Sequence, residues 1–239
     1  MPPKPAQKLS QWAGAARTRC LLVCGAIAGP LFVATFVIAG ATRADYHPLR
    51  HPVSSLALGG LGWIQVANFL MAGALGLAFA AGLRRALRPL RGSTWGPLLV
   101  GIWAAGLLGA GIFVTDPVSG YPLGTPDKLA HYGSTHAALH DGVSLAAFVA
   151  LAAACFIFAR RFVVWGKPAW AIYSALTGIV FLVTFALSNL GFDQADGLVD
   201  LGGLFQRVAI TVGWSWLSLL ALHLLQRDAP RQPAEDQRQ

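Results

Sequence analysis

The sequence predicts an all-α polytopic membrane protein, a bundle of six transmembrane helices with both termini cytoplasmic. Three observations carry that prediction. Six apolar stretches, at 21–41, 61–82, 95–114, 136–159, 168–190 and 206–225, each approach the length that crosses a bilayer. Charged residues make up 12% of the chain and hydrophobic ones 55%, with mean hydropathy +0.57; soluble globules carry about 25% charged residues. Basic residues gather on alternate connections, which places 14 of the 18 Lys and Arg on one side. Positively charged loops stay cytoplasmic, and that rule orients the chain.

Taken in order, the first span begins at Cys20 and runs to Ala41, roughly 30 Å as a helix. It follows a basic segment with Lys4, Lys8, Arg17 and Arg19, and Ala39-Gly40-Ala41 has the small-residue look of a cleavage site. The apolar run of about 21 residues exceeds the 7–15 of a signal-peptide core, so a retained helix is expected. Pro30 is expected to bend it, and Gly25-x-x-x-Gly29 to let a neighbouring helix come close. Spans 2 and 3 are joined by a basic turn with Arg84, Arg85, Arg88 and Arg91; span 3 carries Gly101, Gly106, Gly109 and Gly111, again a close-packing pattern. Spans 4 and 5 are joined through Arg160, Arg161 and Lys167, and Arg227, Arg231 and Arg238 follow span 6. Trp63, Trp95, Trp165 and Trp170 lie near span ends, as an interfacial belt requires. Because lipid cannot satisfy free backbone N–H and C=O groups, runs of this length are helical.

One domain, 20–226, is expected between polar tails 1–19 and 227–239, whose Pro, Gln and charge content predicts disorder. The net charge of +8 comes as short clusters beside apolar spans, a pattern of orientation and lipid-headgroup contact and not of nucleic-acid binding. Cys20, Cys24 and Cys155 read as small packing residues. The expected location is a cell membrane (a bacterial inner or plasma membrane), with membrane lipids as partners.

With the topology drawn, the remaining polar residues sort unevenly. Seven of ten acids (Asp45, Asp116, Asp127, Asp141, Asp193, Asp196 and Asp200) and five of six histidines (His47, His51, His131, His136 and His140) lie at the outer ends of spans. The orientation signal accounts for some of the acid bias but not for the histidines. His136 and His140 are four residues apart and share a helix face, a spacing that can hold one metal from one helix. Asp116 sits at the negative end of span 3, where a carboxylate is disfavoured. A cation, a histidinium or a free N–H at a neighbouring turn must offset that cost. Arg207 poses the reverse problem at the positive end of span 6, and a pairing with Asp116 or with a headgroup phosphate is expected. The Asp193-Gln194-Ala195-Asp196-Gly197 loop lacks full calcium-loop spacing and reads as a solvated turn.

Four short motifs at these span ends give the chain a likeness to a known family. They are His51-Pro52-Val53-Ser54-Ser55, Thr115-Asp116-Pro117, His136-x-x-x-His140 and Gly203-x-x-x-Arg207. In their order and placement the chain resembles the DUF998 family of uncharacterised bacterial integral membrane proteins, over most of 20–226. The resemblance implies a six-helix membrane fold and brings no established reaction. Phe113-Val114 stands where the family often has Phe-Pro.

The functional expectation is a polar, candidate metal-binding site at the outer ends of spans 2, 3 and 4. His136, His140 and Asp116 are the candidate ligands, His51 and Ser55 are secondary, and a divalent metal such as Zn is the candidate cofactor. If the site is catalytic, metal-activated water would hydrolyse a lipid-like substrate. The residue types are similar to those of ceramidase-like membrane hydrolases, in a different order along the chain. The alternative is non-enzymatic: a small transporter, lipid-interacting protein or scaffold with pH-responsive outer histidines. Haem ligation by histidines is weaker, because the candidates crowd one face.

Overall fold

The computed structural model describes residues 5–88, 94–128 and 131–227. Lys4, Arg91, Arg231, Arg238, Asp228, Glu235 and Asp236 lie outside the described residues, as does the expected tail beyond Arg227. The described chain forms six long helices and no named strand: α1 (Pro5–Thr42), α2 (Gly62–Leu87), α3 (Trp95–Ile112), α4 (Thr135–Val164), α5 (Pro168–Phe192) and α6 (Gly202–Arg227). Each contains a segment long and apolar enough to cross a membrane. Short 3-10 turns at Val53–Ala57 and Val199–Leu201 precede α2 and α6.

Helix α1 starts at Pro5, so residues 5–19 are helical where a disordered tail is expected. The segment has four Ala, two Gln and two Arg, good helix formers, and it continues a helix already nucleated by the apolar run. The helix also runs on through Pro30. Where connections are short the ends follow local chemistry. Arg84 and Arg85 close α2 and Arg227 closes α6, cations at the negative ends of their helices. Pro168 opens α5 at the first turn, where its missing N–H costs nothing.

Every helix packs on its neighbours in sequence, and α6 closes on α1, so the six form a ring. Lipid tails are as apolar as leucine, so this association rests on close packing more than on exclusion of water. Small residues permit it. A Cβ on Gly106 would collide with that of Ala147 and lie 3.0 Å from the Val143 carbonyl, which brings α3 against α4 almost backbone to backbone. Aromatic rings plug the centre: Trp103 meets Trp214 at 5.9 Å and Phe148 at 5.4 Å, both edge-on, and Phe148 stacks on Phe181 at 5.2 Å. Such pairs contribute about 0.5–1.5 kcal/mol each beyond area burial. Outward positions carry the exposed apolar side chains, among them Ile38, Ile172 and Val183. Trp63 and Trp95 are exposed at their span ends, as an interfacial belt requires.

The two ends of the bundle differ. One carries the short connections, where Arg161 and Arg227 both lie over the Trp165 ring. The other carries three long connections, 43–61, 113–134 and 193–201, and nearly all the polar residues singled out above.

Candidate functional site

Two fasteners hold the long-loop end together, and the four motifs build them. In the first, the 43–61 connection is tied to the start of α6. The N–H groups of Gly203 and Leu204, which have no intrahelical partner, donate to the Arg50 and Leu49 carbonyls at 3.1 and 2.8 Å. Arg207 donates to the His51 carbonyl at 3.0 Å, to the Gly203 carbonyl at 2.9 Å and to the Tyr46 hydroxyl. Tyr46 in turn donates to the Pro52 carbonyl at 2.8 Å. Of the two expected partners of Arg207, Asp116 is not the one it meets here: its fork reaches one loop carbonyl, one carbonyl of its own helix and a phenol. Gly203 is required by close approach, since a Cβ there would lie 2.6 Å from both the Pro48 and His51 carbonyl oxygens. The motif halves at His51-Pro52 and Gly203-x-x-x-Arg207, some 150 residues apart in sequence, thus meet in one contact.

His51 is buried in this fastener, 3% exposed, against the rings of Tyr46 and Tyr121, which also touch each other. Its Nδ1 accepts the His47 backbone N–H at 2.9 Å and so carries no proton. Burial, with help from the charges of His47 and Arg50, pushes its pKa down to about 4. Burial likewise pushes the Tyr46 phenol up to about 12, against the pull of the Arg207 guanidinium. Arg50 extends the fastener to the other two loops, pairing with Asp127 at 2.6 Å and Asp200 at 3.0 Å and donating to the Ser119 carbonyl at 3.2 Å.

The second fastener joins the end of α3 to the start of α4. Asp116 accepts the Gly133 and Ser134 N–H groups on one oxygen, at 2.7 and 3.1 Å, and the Ser134 hydroxyl on the other, at 2.8 Å. Ser134 is the N-cap of α4, its Oγ accepting the Ala137 N–H at 3.1 Å. Of the three ways to offset a carboxylate at the end of α3, the chain uses N–H donors at a neighbouring turn. The same carboxylate stands at the positive end of α4. His140, 4% exposed, donates Nδ1–H to the Phe113 carbonyl at 2.7 Å. A carbonyl can only accept, so Nδ1 carries a proton.

These bonds place the residues of the expected metal centre in separate surroundings. Among the described residues no three His, Cys, Asp or Glu side chains form a group that could hold a metal ion. His136, His140, Asp116, His51 and Ser55 all lie within the described residues, and they are not brought together as a ligand set. Asp116 has both oxygens engaged, and His51 belongs to the other fastener. His136 is exposed with its ring edge-on to Phe113 at 5.7 Å, whereas His140 is buried. Ser55 is fully buried with its hydroxyl unpartnered.

Between the fasteners the ring of helices opens into a cavity of about 660 Å³, within the size range of small-molecule sites. Its deep wall is aromatic and aliphatic: Phe32, Phe69, Trp103, Leu107, Phe148, Phe185 and Ile210. Its mouth carries charge of both signs, with Lys128, His131, Asp141 and Asp193, alongside Tyr132, Asn189 and Gln206. Lys128 bridges to Asp193 at 3.4 Å, and Tyr132 donates to Asp141 at 2.9 Å, which raises the Tyr132 pKa. His140 lines the cavity wall. Neither spacing nor motif announces this cavity. Its lining comes from all six helices and all three long loops, with α4 the largest contributor and most of the others giving a few residues each.

The model of a family described as "Protein of unknown function (DUF998)" matches residues 26–223, a range that contains all four motifs. No curated protein and no solved structure matches the chain.

Proposed function

The chain belongs to the DUF998 family, and we propose that it binds a single-chain, lipid-like amphiphile in the cavity at its long-loop end. The cavity carries this reading: an apolar aromatic depth beneath a mouth with charge of both signs. A ligand with a chain and a charged headgroup matches both regions at once, whereas a wholly polar solute would leave the aromatic wall unused. The basic short-loop side faces the cytoplasm in this account, so the cavity opens to the outside of a cell membrane and meets lipid-derived ligands there.

Binding is favoured over hydrolysis because the groups that would activate water are engaged in holding loops. Asp116 fixes the start of α4, and Arg207 fixes the 43–61 connection. The motif residues act as supports for the cavity mouth, which is why they sit at span ends without converging.

The test is equilibrium binding of radiolabelled lysophosphatidylcholine to the full chain in nanodiscs. Saturable uptake of one molecule per chain is expected. Gly142 lines the cavity, and a Cβ there would meet no atom within 4 Å. Gly142→Trp therefore puts a large ring at the cavity from a position where its Cβ meets nothing, and is expected to weaken binding about tenfold or more, a loss of roughly 1.4 kcal/mol. Non-saturable partitioning, equal in both proteins, would overturn the proposal.

A further inference from the structure

The short-loop end of the bundle gathers cations and, among the described residues, no acid: every described Asp, from Asp45 to Asp200, lies at the long-loop end. Three of these cations come from different segments and meet at one place. Arg161, in the last turn of α4, and Arg227, the last residue of α6, hold their guanidinium carbons 6.0 and 5.7 Å from the centre of the Trp165 ring. They therefore stand at most about 12 Å apart, and Arg227 is exposed on its flexible stem. Lys167, in the turn between α4 and α5, reaches across to α6 and donates from Nζ to His223 Nε2 at 3.0 Å. An ammonium carries three N–H groups, so two remain. Burial, and then the Arg227 guanidinium, lower the Lys167 pKa, as a cation held beside a cation requires. The helix ends neutralise little of this charge. Here α4 and α6 each finish with about half a negative charge, and the start of α5 returns about half a positive one.

Beside the cations the surface turns apolar. Val163 and Val164 on α4 and Leu222 on α6 are exposed. A free anion has no use for such a surface, whereas a lipid lays its acyl chains along it while its headgroup meets the charges. We infer that Arg161, Lys167 and Arg227 form a binding site for the headgroup of an anionic phospholipid, which joins the end of α4 to the end of α6. The site is separate from the cavity and stands whether or not the cavity takes an amphiphile. Arginine forks match phosphate oxygens, and the remaining Lys167 donors add a point charge. In this account the short-loop end faces the cytoplasm, where anionic headgroups attract such clusters.

Native mass spectrometry of the full chain in detergent tests this, with palmitoyl-oleoyl phosphatidylglycerol titrated against the phosphatidylcholine of the same chains. A basic residue beside an anionic headgroup contributes about fivefold in affinity. One phosphatidylglycerol is expected to bind with a preference of about tenfold or more over phosphatidylcholine. Lys167→Gln/Arg227→Gln should reduce that preference to about twofold or less, whereas Arg17→Gln/Arg19→Gln, which removes as much charge from the same end of the bundle, should keep it. Equal affinity for the two lipids in the unaltered chain would overturn the inference. So would equal losses in the two double variants, which would leave only the general attraction of basic loops to anionic lipid. Inorganic phosphate that raised the thermal midpoint as much as phosphatidylglycerol does would also overturn it, the ligand then being a free anion. If Lys167→Gln/Arg227→Gln fails to fold, phosphatidylglycerol with a diazirine in its headgroup decides the question on the unaltered chain. Labelling concentrated at 161–167 and 222–227 is expected, and labelling equally strong at 14–19 and 84–88 would overturn the site.

Discussion

Replacing Asp116 by Ala separates a support from a metal ligand. The carboxylate accepts three hydrogen bonds, at 2.7, 3.1 and 2.8 Å, all from Gly133 and Ser134. Bonds to a charged group contribute about 1.5–3 kcal/mol each when removed singly. They are not additive here, because two of the donors belong to one residue and Asp116 is only half-buried. The favourable placement at the positive end of α4 adds about 0.3–1 kcal/mol. A total near 3 kcal/mol is the working figure, and at roughly 2–4 °C per kcal/mol for a chain of this size it lowers the thermal midpoint by about 6–12 °C. Asp116→Asn keeps an acceptor oxygen and is expected to lose about half as much. The assay is thermal unfolding in detergent, run with and without chelator and added zinc. The loss should be the same in each condition. A midpoint within about 2 °C of the unaltered chain, or a loss that appears only when metal is present, would refute the argument.

Gly203→Ala places a methyl 2.6 Å from two carbonyl oxygens and is expected to cost about 1–3 kcal/mol by overpacking, seen as a lower thermal midpoint; an unchanged midpoint would show that the loop yields freely. Arg207→Lys should destabilise as well, since one ammonium cannot reproduce a fork that reaches the His51 and Gly203 carbonyls and the Tyr46 hydroxyl; full stability in this variant would sink the fastener. His51 supplies a pH test. Its folded pKa, about 4, lies below the ordinary 6.5, so the unfolded chain binds the extra proton first. Stability is then fully present above about pH 6.5 and declines as the pH falls towards 4, levelling off below. His51→Asn should show a flatter profile across that window, and parallel profiles would remove His51 from the account.

Much of the architecture is legible in the sequence because the bilayer leaves the backbone little choice. A run such as Cys20–Ala41 must close its own hydrogen bonds, so hydropathy alone locates the helix. The polar positions were legible as unusual, and Asp116 most usefully. A carboxylate at the wrong end of a helix called for a compensating group, and N–H donors at a turn proved to be the one used. The spacing of His136 and His140 leaves the surroundings of the two rings open for a physical reason. Four residues fix the angle between two side chains on a helix but not what that face meets. Here Phe113 draws His140 inward through its carbonyl while His136 stays exposed on the ring side. The partners of Arg207 could not be read at all, because backbone carbonyls leave no signature in residue type. The cavity is equally silent in sequence: Phe32, Trp103, Phe148, Phe185 and Ile210 look like ordinary core until the six helices are placed around them.

The central claim is that a lipid-like ligand lies inside the ring of helices and not merely around it. Photolabelling with a diazirine-bearing single-chain amphiphile, followed by peptide mass spectrometry, addresses this directly. The account predicts saturable labelling of cavity-wall residues such as Phe148, Phe185 and Trp103, competed by unlabelled ligand and lost in Gly142→Trp. Labelling confined to outward-facing residues such as Ile38, Ile172 and Val183, and unaffected by competitor, would contradict it.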